Sequence, residues 1–254
     1  MPNPRWTHDR KLIKGQKGVV GVDEAGRGCL AGPVVAGCVI IPNPFFCSPT
    51  NRKKTEHIND SKQFSETQRE ALFGSIQNLV NDGEIFSGTG QASIEEIEEF
   101  NIVGATCLAM RRAMEEAALK SKNLWHPELK GANDLFSERK DLGSNWQVLV
   151  DGRNMKRLPY THHGMVKGDT LSLAIAMASL IAKVTRDRWM RELDAKYPQY
   201  DFKSNKGYGA PLHLKALRED GPTICHRPRF LRNFLEQNSA KEKTSDDQCR
   251  LSFG

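Results

Sequence analysis

Two short, strongly apolar runs that each end in an acid constrain this chain most. Val19, Val20 and Val22 lead into Asp23, and residues 147–150 lead into Asp151. Runs of this length rich in β-branched residues read as buried strands. In open α/β sheets ligands gather outside the carboxyl ends of strands, so if these two strands are neighbours their acids converge. After a Gly-rich stretch at 25–32, a further apolar run at 34–41 makes a hairpin-like pair with the first strand.

Further along, residues 42–59 are polar and Pro-containing and read as a loop. Residues 65–79 carry Ala71, Leu72, Ile76 and Leu79 at helical spacing, and 84–92 reads as a third strand. Ser93 and Glu96 have capping-box spacing, which predicts a short helix starting there and a longer one over about 102–120. Residues 121–145 are charged and aperiodic and read as a surface insertion before the strand ending at Asp151. Residues 165–167 suggest another strand, and 171–193 has the length and apolar density of a partly buried helix. Beyond Gly207 the periodicity fades. Strands that come first as an antiparallel group and then alternate with helices predict a mixed α/β sheet. The organisation expected is an N-terminal extension at 1–17, one domain over 18–235, and a polar tail at 236–254 expected to be disordered.

Composition narrows the class. No stretch approaches the roughly 18 uninterrupted apolar residues of a membrane span, and residues 1–17 are polar and basic with no apolar signal region. A cytoplasmic location is expected, and nothing demands more than a monomer. The six cysteines form no CxxC pair, so they read as free thiols rather than a zinc site or disulfide framework. A net charge of +6 and a pI near 9.0 are compatible with a polyanionic partner.

Asp23 and Glu24 are consecutive, so their side chains leave opposite faces unless the strand ends or bulges there. Asp187 shares a helix face with Ser179, Leu180 and Lys183. Oxygen ligands without cysteine or clustered histidine suit Mg²⁺ or Mn²⁺. Each acid also has a plain reading, as a turn former, a cap or, for Asp187 between Arg186 and Arg188, an exposed salt-bridge member.

The wording of the sequence adds to this. Gly21-Val22-Asp23-Glu24-Ala25-Gly26-Arg27-Gly28 followed by Ala31-Gly32-Pro33-Val34-Val35-Ala36 closely resembles the signature of ribonuclease HII. So do Asp60-Ser61-Lys62, Glu96-Ile97, Asn101-Ile102, Ala109-Met110, Val150-Asp151-Gly152, Lys167-Gly168-Asp169, the run from Ala178 to Asp187, Lys206-Gly207-Tyr208-Gly209 and His213, in the family's order over roughly 18–230. The resemblance implies an RNase H-like mixed five-stranded sheet flanked by helices, with a C-terminal helical extension. It assigns catalysis and metal binding to Asp23, Glu24, Asp151 and Asp187, with two Mg²⁺ or Mn²⁺ ions. The implied substrates are RNA–DNA hybrids and duplex DNA containing single ribonucleotides, cut on the 5′ side to leave 5′-phosphate and 3′-hydroxyl ends. Gly26, Arg27 and Gly28 would sense a 2′-hydroxyl, Tyr208 would pack on the neighbouring sugar, and Lys62 and Lys183 would contact phosphates.

Plain alternatives stand beside these roles: a tight turn, a surface tyrosine, solvated lysines, and for His213 a structural histidine. Departures from the pattern are the longer segments at 43–59 and 121–145, and Gln63-Phe64 where Lys-Leu is usual. Residues 248–253 fit the pattern Gln-x-x-Leu-x-Phe, similar to peptides that dock on sliding clamps. The competing readings are ribonuclease HIII, which needs an additional N-terminal domain that the 22 residues before Asp23 leave no room for, and a hybrid-binding module without catalysis, against which the four acids argue.

Overall fold

The computed structural model describes residues 3–59, 63–130 and 145–232. Five strands form one sheet in the order β3-β2-β1-β4-β5, comprising β1 Gly18–Ala25, β2 Val34–Pro42, β3 Phe86–Ala92, β4 Trp146–Asp151 and β5 His163–Met165. Pairing is antiparallel from β1 to β2 and from β2 to β3, and parallel from β1 to β4 and from β4 to β5. The sheet is therefore mixed, as expected. The two acid-ended strands are neighbours, and their shared ladder stops at the pair Val22 and Val150, immediately before Asp23 and Asp151.

The helices are α1 Pro4–Leu12, α2 Pro49–Lys54, α3 Glu66–Asn81, α4 Ile94–Lys120, α5 Gly168–Leu171, α6 Leu173–Lys196, α7 Phe202–Asn205 and α8 Pro211–Glu219. Strand alternation sends Val20, Val22, Ala36, Cys38 and Ile40 toward Ala105, Ala109, Met110, Ala113 and Ala117 of α4. The opposite face, with Val19, Val39, Ile41 and Leu149, packs on the first half of α6 and on Trp6 and Ile13. Glycines let both helices approach the sheet closely. A Cβ at Gly21 would sit 2.2 Å from the Ala174 carbonyl carbon, one at Gly37 2.4 Å from the Ala178 carbonyl oxygen, and one at Gly90 2.2 Å from that of Ala109. A third cluster, with Ala31, Met190, Tyr200, Phe202 and Leu217, joins the C-terminal helices to the end of α6.

Local chemistry sets the helix limits. Ser65 with Gln68 and Ser93 with Glu96 form reciprocal capping boxes at the starts of α3 and α4. Asn101 then interrupts α4 with φ 56° and ψ 172°, and its Oδ1 accepts from the Val103 and Gly104 amides. It recaps the helix, which is why a short helix followed by a longer one is legible in the sequence. At α6, the Ser172 side chain accepts from the Ile175 amide, and buried Asp9 Oδ2 accepts from the Ser172 hydroxyl and the Ala174 amide.

Several expectations need correction. Residues 42–59 are not a plain loop: a 3₁₀ turn, Asn43–Cys47, buries Phe45 and Phe46 against Trp6, and α2 follows. Residues 1–17, read as an extension, include α1, whose Trp6 and Asp9 are buried against the body. In the segment read as a surface insertion, Ser121 and Trp125 are buried and Trp125 belongs to the α4-face core; residues 131–144 lie outside the described residues. Where periodicity fades after Gly207, α8 forms, with Pro211 in its first turn. Among the described residues, no helix is long and apolar enough to cross a membrane.

Candidate active site

The β1–β2 ladder runs unbulged from Gly18 to Ala25, so Asp23 and Glu24 do leave opposite faces of the sheet. Asp23 is on the α6 side, 5% exposed, with Ser179 of α6 as a hydrogen-bond partner, and it accepts from the Glu24 amide at 2.7 Å. Glu24 is on the other side, bonded by Arg27 Nη1 at 2.9 Å. Asp151 Oδ1 accepts from the Gly168 amide at 2.6 Å. Burial pushes the Asp23 carboxyl well above the usual range, reinforced by the charges of Glu24 and Asp151. Glu24 is also raised, by burial, against the opposing pull of Arg27, and Asp151 is raised chiefly by burial. The structure therefore brings three of the four predicted acids into one mutually repelling group.

Asp187 is held by basic neighbours. It is 2% exposed, and Oδ1 meets Lys183 Nζ at 2.8 Å while Oδ2 stands 3.6 Å from Arg69 Nη2. Its two turns of separation from Ser179 amount to about 12 Å along the helix axis. Among the described residues, no group of three or more His, Cys, Asp and Glu side chains stands close enough to ligate an ion without movement. The donor set nevertheless fits a hard divalent cation. The candidate donors are all carboxylate oxygens, the Asp23 carboxyl is buried and faces the charges of Glu24 and Asp151, and Asp187 Oδ2 is buried with no hydrogen-bond partner among the described residues. For Asp187 to turn toward an ion, Lys183 has to release it. Lys183 is thus an ion-pair partner of Asp187 in this structure. Lys62 lies outside the described residues.

The turn after β1 brings Gly26, Arg27 and Gly28 beside these acids. Gly26 has φ +94°, and a Cβ there would lie 2.0 Å from Arg186 Nε, so its small size makes room for the arginine behind the loop. A Cβ at Gly28 would meet only the Tyr208 ring, at 3.9 Å, leaving its other side open. Arg27 is 45% exposed at its side chain despite its bond to Glu24. Tyr208, 47% exposed, lies next to Cys29, and burial of its hydroxyl end raises its pKa.

Sequence reading misses three groups here. Asp169 is 3% exposed and near enough to Asp151 to raise its pKa; the Lys167-Gly168-Asp169 triplet is its only local signal. Arg186, 1% exposed, donates to the carbonyls of Pro33, Lys206 and Ala31 at 2.8–3.0 Å. Arg227, fully buried, donates to the carbonyls of Gly32 and Arg27, and burial lowers its pKa to about 10. Two guanidinium groups thus shape the loop that follows β1 from within.

Comparison with known proteins agrees with this architecture. Residues 20–233 match the Ribonuclease HII family. The ribonuclease HII of Fusobacterium nucleatum subsp. nucleatum is 40% identical over 246 residues, covering 96% of this chain and 97% of that protein. The solved ribonuclease H2 of Pyrococcus horikoshii is similar with a TM-score of 0.58 at 24% identity, over 86% of this chain and 97% of that one. Bst-RNase HIII, solved in complex with Mn²⁺, gives 0.58 at 12% identity, over 87% and 69% of the two chains. At such identities the structural likenesses speak for the fold.

Proposed function

Because the chain belongs to the ribonuclease HII family and is a type 2 ribonuclease H, we propose that it cuts the RNA strand of RNA–DNA hybrids and the 5′ side of single ribonucleotides in duplex DNA. The observation that carries this reading is the grouping of Asp23, Glu24 and Asp151 beside an open Gly-Arg-Gly turn and an exposed tyrosine. Asp23, Glu24, Asp151 and Asp187 would hold two Mg²⁺ or Mn²⁺ ions, a preference consistent with an all-oxygen donor set. Bound there, the ions supply Lewis-acid neutralisation of the charge that develops at the scissile phosphate.

The chain's own groups do the rest. Gly28 leaves the backbone open to a ribose 2′-hydroxyl, the group that distinguishes RNA from DNA at a given site. Arg27, partly exposed, can pair with a phosphate oxygen while keeping Glu24 oriented. The Tyr208 ring offers a flat face to the next sugar. Hydrolysis leaves 5′-phosphate and 3′-hydroxyl ends. Residues 248–253 lie outside the described residues; we propose that they dock on a sliding clamp, and a truncation at 236 is expected to lower clamp affinity without altering cleavage of a free duplex.

The deciding experiment incubates the protein with Mg²⁺ or Mn²⁺ and a labelled duplex carrying one ribonucleotide. A single cut 5′ of that ribonucleotide, absent from an all-DNA control and from Asp23→Asn, is expected. Cleavage restricted to long hybrids would refute the single-ribonucleotide specificity.

A further inference from the structure

His213 on α8 and His226 just after it are buried, 0% and 2% exposed, with their Nε2 atoms 3.0 Å apart. Tyr200 and Phe202 pack against both rings. The two ends of this pair fix where its protons are. His226 Nδ1 faces the backbone N–H and the hydroxyl of Thr223, each at 3.0 Å. The N–H can only donate, and the hydroxyl oxygen already accepts from the Cys225 amide, which leaves its own proton for the ring, so Nδ1 accepts and a neutral His226 carries its proton on Nε2. His213 Nδ1 faces the Tyr208 carbonyl at 2.8 Å. That oxygen can only accept, so His213 carries its proton on Nδ1 and its Nε2 is an acceptor. The middle bond therefore runs from His226 Nε2–H to His213 Nε2, and all three bonds point the same way. A charged ring at either position would set two donors face to face. Burial lowers the pKa of both rings, that of His226 to about 4, and keeps the pair neutral.

Both ends of the relay meet the site. Tyr208 borders Gly28. The strand of chain bearing His226 is strapped to the same loop: the Gly32 amide donates to the Cys225 carbonyl, the Arg227 amide to the Leu30 carbonyl, and the Arg227 guanidinium to the carbonyls of Gly32 and Arg27. The Leu30 amide closes the circuit by donating to the Gly207 carbonyl at 2.8 Å.

We propose that His213 and His226 are positioning residues: their one-way relay from the Thr223 amide to the Tyr208 carbonyl locks the Tyr208 turn onto the 26–32 loop. Ring and loop then meet a ribonucleotide junction as one rigid surface. The proposal rests on the reading of Tyr208 as a sugar contact.

Nitrogen NMR on the wild-type protein labelled at histidine tests the relay without substrate. The expected result is protonated Nδ1 on His213, protonated Nε2 on His226, and a scalar coupling between the two Nε2 atoms across their hydrogen bond. Reversed tautomers, or a charged ring at neutral pH, would overturn it. Kinetics tests the consequence. His226→Leu removes the central donor and is expected to raise KM for a single-ribonucleotide duplex about tenfold with kcat within about twofold, whereas His226→Gln retains an N–H donor and restores KM. In a Tyr208→Ala background, His226→Leu should add nothing further, because the two changes act on one element. Additive losses, or an unchanged KM in a folded His226→Leu protein, overturn the proposal. If Tyr208→Ala alone left KM unchanged, the sugar-contact reading would fall and take the positioning role with it, a failure told apart by intact nitrogen couplings.

Discussion

Gly37 is where fold and chemistry are most tightly joined. It is the cross-strand partner of Asp23, and a Cβ added to it would lie 2.4 Å from the Ala178 carbonyl oxygen and 3.1 Å from the Ala182 nitrogen. Both atoms are α6 backbone, so no side chain can swing aside. To restore ordinary contact in Gly37→Ala, α6 must retreat by up to about 1 Å, and overpacking of this kind costs about 1–3 kcal/mol. For a chain of this size that lowers Tm by roughly 3–10 °C. The same movement carries Ser179 and Asp187 away from Asp23, and a misplacement of about 1 Å can cost roughly 100-fold in rate. Gly74 supplies the control. It is exposed in α3, and a Cβ added there would meet nothing within 4 Å, so Gly74→Ala is expected to gain about 0.5–1 kcal/mol from helix propensity and leave activity unchanged. Tm from calorimetry and kcat at saturating Mn²⁺ are measured for both. A Gly37→Ala protein with wild-type Tm and kcat would refute the claim that glycine sets the helix-to-sheet distance on which the site depends.

Other expectations follow from the same contacts. Asp23→Asn removes one charge from a repelling group, so in the absence of divalent ions it is expected to raise Tm at pH 7 while abolishing cleavage, and added Mn²⁺ should raise Tm less than in wild type; a lower Tm without ions would contradict the repulsion. His226 titrates near its ordinary 6.5 when unfolded and at about 4 when folded, so acidification through that window protonates the unfolded chain first and lowers stability, by at most about 3 kcal/mol. The raised acids at the site work in the opposite direction, so the comparison is with His226→Gln, in which the loss of Tm between pH 6.5 and 4.5 should shrink; identical pH profiles would exclude His226 as the source. Ser93→Ala removes the hydroxyl half of the α4 capping box and is expected to cost about 1 kcal/mol by urea unfolding, with kcat unchanged.

What can be read from the sequence and what cannot separates by range along the chain. The strands ending at Asp23 and Asp151 announce themselves because apolar runs and terminal acids are local signals, and the break between two helices at Asn101 is local for the same reason. Phe45 and Phe46 are hidden in a Pro-bracketed segment too short for any period, and Trp125 is one buried side chain in a polar stretch; neither acquires meaning until Trp6 or α4 is brought against it. Arg186 is the sharper case. Beside Asp187 and Arg188 it reads as surface charge, because arginine is almost never fully buried unless satisfied. Its partners are carbonyls at positions 31, 33 and 206, which no pattern within one segment can reveal.

This division has a physical cause. A carboxylate that is to meet a cation needs only the open end of a strand, and a strand end is visible as sequence. Holding such a group to a fraction of an ångström takes donors and acceptors converging from several segments, each ordinary by itself. The 26–33 loop receives its hydrogen bonds from Arg186, Arg227 and the 207 and 225 backbone, and Asp187 receives Lys183 and Arg69. Substitutions of the groups that hold the 26–33 loop should therefore change KM and substrate discrimination before they touch kcat, whereas substitutions of the acids, or of the Lys183 and Arg69 that hold Asp187, should lower kcat first. That contrast is measurable in one series of variants against one duplex.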